Sequence, residues 1–505
     1  MEFETQTLIA MFGLVGAVVV GGTLLAGPTE RSGLPALGIF LLLGLLIGPY
    51  GLGMFTVALN DPILRVVATL SLTLVLFTDA MTLDLREVRQ HKTLAALLLG
   101  PGTLAVAFGL AGVAWLLLGI PFIPALVLGA ALASTDPVVL RGMLQGSTVS
   151  PRLRLALRLE SGMNDVLLLP MVVIAIAIGE AGGAILGSEL ARLLVSLFLL
   201  GPLAGVAVGV SAVRLLVWVR DRVGVRREYE ALYVIGVALG AFAAAESPGG
   251  SGFLAAFAAG IVVSALDVEL CDCFLEYGQV TAEMALLFTF VLLGTGPIWS
   301  GLSVIGWVPL LFVAIVLLIR LPIFALALHP LHLAMAERLA IGWYAPRGLG
   351  TLLLALLAIF DHLDGGEQLV AYASLAVLVS IVLQGGWPLL RRAAGLRRPS
   401  PLPAPPSAPV QDAAIIPLIP EAPRHVPDIT QPPAIHPPDR ITIEQLRHYQ
   451  EQGEPLILLD VRSERSFEAS SQLARGALRA TPERALLALR AAGVPADAWV
   501  VAFCT

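Results

Sequence analysis

The sequence predicts an all-α polytopic membrane protein of about thirteen transmembrane helices, followed by a linker and a small partial α/β domain. Three observations predict it. Hydrophobic residues make up 57% of the 505-residue chain and charged residues only 13%, about half the ~25% charged share of soluble proteins. Apolar runs long enough to cross a bilayer, roughly 17–25 residues each, recur from Leu8 to about Leu390. Carboxylates, arginines and prolines interrupt a few of these runs at membrane depth. A charge there costs on the order of 2.5–3.5 kcal/mol, so such residues line a cavity or a transport pathway.

The length rule places spans at 7–27, 34–53, 62–82, 94–118, 121–142, 155–179, 189–219, 230–246, 252–267, 281–296, 302–329, 338–361 and 368–390. The N-terminus, Met-Glu-Phe-Glu-Thr-Gln, is acidic where a signal peptide is basic, so the first segment is expected to remain as a membrane helix. Orientation follows from the short loops that carry Lys and Arg. Arg86, Arg89 and Lys92 follow the third span, Arg152 and Arg154 the fifth, and Arg220, Arg222, Arg226 and Arg227 the seventh. The alternate loops 245–251 and 294–300 have none. The expected topology is an outside N-terminus and a cytoplasmic C-terminus. The acidic loop 267–276, on the cytoplasmic side by this count, fits poorly.

Beyond Arg398 the character changes. Residues 399–438 hold fourteen of the chain's 35 prolines, which reads as an extended linker unable to build a core. After it, Pro455-Leu-Ile-Leu-Leu-Asp460 and Ala498-Trp-Val-Val-Ala-Phe503 read as buried strands, and Ala485 to Ala492 as a helix closed by Gly493. The expected division is 1–396 membrane domain, 397–440 linker and 441–505 partial α/β domain. A unit that small is marginal alone, as a domain cut short would be. The net charge of −6 offers no basic face, so no nucleic-acid partner is expected. Three cysteines, Cys271, Cys273 and Cys504, are too few for a disulfide framework. Cys271 and Cys273 lack companion metal ligands, and no cofactor is expected.

The stretch Arg158-Leu-Glu-Ser-Gly-Met-Asn-Asp165 carries the strongest chemical signal. Glu160 to Asn164 and Ser161 to Asp165 are both i,i+4 pairs, so on a helix the four side chains form a polar stripe. In the fifth span Ser134, Thr135 and Asp136 precede Pro137, which should break the helix and expose backbone groups of the kind that hold ions in transporters. The twelfth span is broken in the same way around Arg347 by Pro346, Gly348 and Gly350. Arg320 is enclosed by apolar neighbours in the eleventh span and needs a counter-charge, and Asp79 lies near the cytoplasmic end of the third. Two interrupted helices in corresponding halves are what an inverted-repeat transporter presents. Ser161 lacks the Gly-x-Ser-x-Gly setting of a serine nucleophile, and a mere membrane anchor would have no use for so many intramembrane polar groups.

These motifs, LFTDAMTLDL (76–85), STDPV (134–138), ESGMND (160–165), Arg320 and PRG (346–348), resemble in order those of the monovalent cation/proton antiporters of the NhaP and NHE type. The resemblance covers roughly residues 8–392. It implies two crossed, discontinuous helices, a core domain moving against a dimerisation domain, and a homodimer. It also implies roles. Asp165 binds either cation or proton with Asn164 as its partner, Thr135 and Ser161 lie near the ion, and Glu160 pairs with Arg320. Asp136, Pro137 and Arg347 belong to the broken helices, and Asp79 to the cytoplasmic funnel. Segments 458–470 and 500–505 resemble rhodanese-like domains, with Cys504 at the cysteine position. The loop that would cradle a persulfide there is absent, so a regulatory or binding role is expected of the tail rather than sulfurtransferase activity.

Because a proton and a cation compete for one carboxylate, their movements are coupled. With Asn164 neutral, the expected function is electroneutral one-for-one exchange of Na+, or of Li+ or K+, for H+ across the cell membrane. The alternative is a K+/H+ antiporter or a K+ efflux module regulated by the cytoplasmic domain.

Overall fold

In hydrocarbon every backbone N–H and C=O must find a partner within the protein, which leaves the helix as the spanning element for a chain of this pattern. The computed structural model describes residues 36–136 except 84, then 140, 151–182, 187–223, 227–266 and 272–385, with single positions between 13 and 24. In the C-terminal part it describes 456–462, 477–480, 499–503 and isolated positions between 485 and 492. The chain forms two compact units, Met1–Ala404 and Pro405–Thr505.

The described part of the first unit is helical. Its main helices are α1 Ala36–Ile47, α2 Pro62–Thr82, α3 Lys92–Leu118, α4 Phe122–Ala133, α5 Pro151–Glu180, α6 Gly187–Arg220 and α7 Arg227–Glu246. They continue as α8 Gly252–Ala265, α9 Asp272–Thr295, α10 Trp307–Ala327, α11 Met335–Trp343, α12 Leu349–Phe360 and α13 Gly366–Gly385. Local signals set several ends. Asp61 caps α2, its carboxylate accepting from the Ile63 N–H at 2.9 Å with Pro62 at the first helical position. Gly119, at φ +67°, terminates α3. Seven helices of the described residues are long and apolar enough to cross a membrane.

From residue 34 onward every predicted span has a helical counterpart, and the span predicted at 7–27 lies largely outside the described residues. The predicted breaks explain the short helices. α4 stops at Ala133, after which residues 134–136 are non-helical. The span predicted at 338–361 is two helices, α11 and α12, with residues 344–348 unwound between them.

Helices in an apolar solvent gain nothing from hydrophobic exclusion and associate through close packing at small residues. Gly201, Gly205 and Gly209 repeat every four residues on α6, and each faces α8 or the residue that caps it, against Ser251, Ala255 and Ala259. A Cβ at Gly205 would land on the Ala255 carbonyl oxygen. Gly44 of α1 and Gly48, just after it, meet α9 at Gly294 and Thr295 in the same way.

In the second unit, β1 Leu456–Asp460 lies between β2 Leu478–Arg479 and β3 Trp499–Phe503, both parallel to it. Parallel neighbours require crossover connections, as in an α/β unit. At the end of β1 the Arg462 side chain hydrogen-bonds both oxygens of Asp460, at 3.0 and 2.7 Å. These bonds hold the Asp460 carboxyl below the usual carboxylate range.

Gly205→Val is expected to lower the apparent melting temperature of the detergent-purified protein by an amount equivalent to about 1–3 kcal/mol of overpacking. Gly240→Val on α7, where a Cβ meets nothing within 4 Å, serves as the comparison in the same thermal assay. It should shift the melting temperature much less.

Candidate functional site

An α-helix leaves its first N–H groups and last C=O groups unsatisfied, and the interruptions of α4 and α12 place such ends deep in the helical unit. The two ends satisfy each other. The Asp136 N–H donates to the Pro346 carbonyl at 2.9 Å, so the two unwound segments meet backbone to backbone. The Asp136 carboxylate accepts from the Leu349 N–H at 2.9 Å, capping the N-terminus of α12 with a negative charge. The Arg347 guanidinium donates to the carbonyls of Ala133 and Ser134 at 3.2 and 3.1 Å, capping the C-terminus of α4 with a positive one. Gly348 is required by this approach, because a Cβ there would fall on the Asp136 carboxylate.

The polar stripe of α5 packs against this crossing. Glu160 and Arg320 lie 3.1 Å apart with side chains 0% and 1% exposed. That ion pair is electrostatic rather than well aligned, since among the described residues neither Glu160 Oε1 nor Arg320 Nη2 makes a directional hydrogen bond. Arg320 also stacks over the Phe324 ring, 4.5 Å from its centre. The Thr135 hydroxyl donates to Glu160 Oε2 at 3.1 Å and accepts from Asn164 Nδ2 at 2.8 Å. Asn164 Oδ1 is buried without a hydrogen-bond partner among the described residues. Asp165 is half-buried, and Ser134 donates to its Oδ1 at 2.8 Å. Gly350 faces the same pair, with Ser134 Oγ and Asp165 Oδ2 2.8 and 3.7 Å from where its Cβ would stand.

Of the residues singled out from sequence, Thr135, Asp136, Glu160, Asn164, Asp165, Arg320 and Arg347 converge here. Ser161 is buried one turn before Asp165 on α5. Asp79 is half-buried in the last turn of α2. Pro137 and Cys504 fall outside the described residues. Sequence reasoning missed Ser134 as the hydroxyl on Asp165, because adjacent residues of an unwound segment point to different sides and spacing does not say which. It also missed Ser380 and Gln384 of α13. The Arg347 N–H donates to Ser380 Oγ at 2.8 Å, Ser380 to Gln384 Oε1 at 2.7 Å, and Gln384 Nε2 to the Trp343 carbonyl at 3.0 Å. Their signal was a polar i,i+4 pair in an otherwise apolar span.

A separate cavity of about 370 Å³ lies beyond the site, lined among others by Arg65 of α2, Val173 of α5, Glu246 of α7 and Asp361 after α12. It does not include Asp165.

Comparison with known proteins places the chain in a family. The family described as sodium/hydrogen exchanger, transmembrane, matches residues 15–389. The K(+)/H(+) antiporter NhaP of Alkalimonas amylolytica is 28% identical over 76% of this chain and 66% of its own length. The K(+)/H(+) antiporter NhaP2 of Shewanella sp. (strain MR-4) is 29% identical over 78% of this chain and 69% of its own. The matched region thus spans about two thirds of the length of these relatives. Among solved structures, the sodium proton antiporter MjNhaP1 of Methanocaldococcus jannaschii at pH 8 superposes with a TM-score of 0.61 and 19% identity, covering 75% of this chain and 99% of that one. The chain is a multi-pass membrane protein and belongs to the sodium/hydrogen exchanger family.

Proposed function

We propose that the chain is a secondary antiporter that exchanges one monovalent cation for one proton at Asp165, by alternating access. The observation that carries this reading is the charge of the buried cluster. Asp136, Glu160 and Asp165 oppose Arg320 and Arg347, so three carboxylates against two guanidinium groups leave one negative charge when all are ionised. Leaving that charge uncompensated away from water is costly. One proton or one monovalent cation neutralises it. Asp136, Glu160, Arg320 and Arg347 are fixed in caps and an ion pair, whereas Asp165 is half-buried and holds one neutral hydroxyl. It is the carboxylate left for the exchangeable charge. The Asp165 carboxylate, Ser134 and Asn164 Oδ1 offer hard oxygen ligands suited to an alkali cation.

Sodium was the expectation from the sequence, and the structural neighbour is a sodium proton antiporter by name. Potassium is the second reading, favoured by the names of the relatives, which are K(+)/H(+) antiporters. The proposed setting is the cell membrane, with the N-terminus outside, the C-terminus cytoplasmic and two copies forming a homodimer. Residues 1–396 act as the exchanger domain, 397–440 as linker, and 441–505 as a partial rhodanese-like domain with a binding or regulatory role.

In vesicles carrying an imposed pH gradient, addition of Na+ or K+ should dissipate the gradient at a rate indifferent to membrane potential. Asp165→Asn should reduce the rate at least a hundredfold. Full exchange by Asp165→Asn, or a current that scales with voltage, contradicts the reading.

The charge balance gives a second expectation. Glu160→Gln or Arg320→Gln alone leaves a buried partner unpaired and should destabilise the purified protein by about 3–5 kcal/mol. The double variant restores the net charge of the cluster and should recover most of that loss in thermal denaturation.

A further inference from the structure

The unwound segment between α11 and α12 exposes backbone groups that its own helices do not satisfy, and the partners of several can be followed. The Tyr344 N–H returns to the Ala340 carbonyl and the Ala345 N–H to the Trp343 carbonyl. Pro346 has no N–H to place. The Leu349 N–H goes to Asp136. The Arg347 N–H and the second demand on the Trp343 carbonyl are met by α13, through Ser380 and Gln384, which are also bonded to each other. Both side chains are buried, at 0% and 2% exposure, and Gln384 sits in the π-helical turn Ile381–Gly385 of α13, a local widening frequent at functional positions.

From there the contacts run without interruption to the proposed ion site. The residue whose N–H rests on Ser380 is Arg347, and its guanidinium holds the Ser134 carbonyl at 3.1 Å. The Ser134 hydroxyl in turn holds Asp165 at 2.8 Å. The path passes through the hydrogen-bonded backbone of the unwound segment as well as through side chains, so the position of residue 347 bears on those of Ser134 and the opposing Gly350.

We propose that Ser380 and Gln384 of α13 are positioning residues for cation exchange, fixing the bend that sets Arg347, Ser134 and Gly350 around Asp165. This rests on the exchange reading above. It adds a helix that contributes no charge to the cluster, and a role that acts through Arg347 rather than through contact with the ion.

The test compares Ser380→Ala, Gln384→Leu and the hydroxyl-retaining Ser380→Thr in the vesicle exchange assay, with apparent KM for Na+ and K+, maximal rate and pH profile measured for each. Ser374→Ala is the control, because Ser374 is a buried serine on the same helix whose hydroxyl makes no hydrogen bond among the described residues. Loss of a buried hydrogen bond that positions the site should raise the apparent cation KM about five- to tenfold. The pH profile should be displaced, the maximal rate should change less, and Ser380→Thr should stay near wild type. A merely structural role would lower protein yield and leave KM and pH profile unmoved. Wild-type KM and pH profile in Ser380→Ala and Gln384→Leu, or an equal change in Ser374→Ala, overturns the inference. If Gln384→Leu does not accumulate, Gln384→Asn, one methylene shorter, carries the same expectation. A wild-type protein that exchanges no cation for protons would instead overturn the exchange reading itself.

Discussion

A peptide group without a partner in an apolar surrounding costs several kcal/mol, and α4 and α12 each present such groups in the middle of the helical unit. Their reciprocal capping is the interaction on which the site is built. Asp136 supplies the acceptor for the start of α12, Arg347 the donor for the end of α4, and the Asp136–Pro346 backbone bond joins the two. Each cap has the sign that the neighbouring helix end favours. The arrangement fixes two opposite charges in place, and it dictates a glycine at 348, where a side chain would collide with the Asp136 carboxylate.

Fixing those charges has a consequence for Asp165. Glu160 and Arg320 balance each other across α5 and α10, and Asp136 and Arg347 balance each other across the crossing. The remaining carboxylate has a single hydroxyl donor among the described residues, and partial access. A group in that position is the one whose charge state can change without dismantling the caps. On the proposed exchange reading, coupling needs no further device: a cation and a proton would exclude each other because either alone would complete the neutrality of the cluster.

Much of this was legible in the sequence because polar residues in apolar spans are rare enough to stand out. Pro346 and the glycines around Arg347 announced one break, Pro137 the other, and the lone Arg320 demanded a carboxylate that Glu160 supplies at 3.1 Å. The α5 stripe followed from i,i+4 spacing alone. The register of the crossing was not legible, since no periodicity says which residue of one unwound segment meets which of the other. For that reason Ser134 rather than Thr135 turned out to hold Asp165, while Thr135 bridges Glu160 and Asn164. Ser380 and Gln384 were overlooked because uncharged polar residues in a span are a weak signal until the backbone groups they serve are seen. The span at 338–361 read correctly as interrupted, yet its division into two short helices depended on those same partners.

The central claim is that the cluster holds one exchangeable positive charge. It is tested most directly by counting protons released when weakly buffered, detergent-purified protein is titrated to saturation with Na+ or K+ at a series of pH values. The account predicts a maximum approaching one proton per chain, and none from Asp165→Asn. A maximum near two, or an undiminished release from Asp165→Asn, would contradict it.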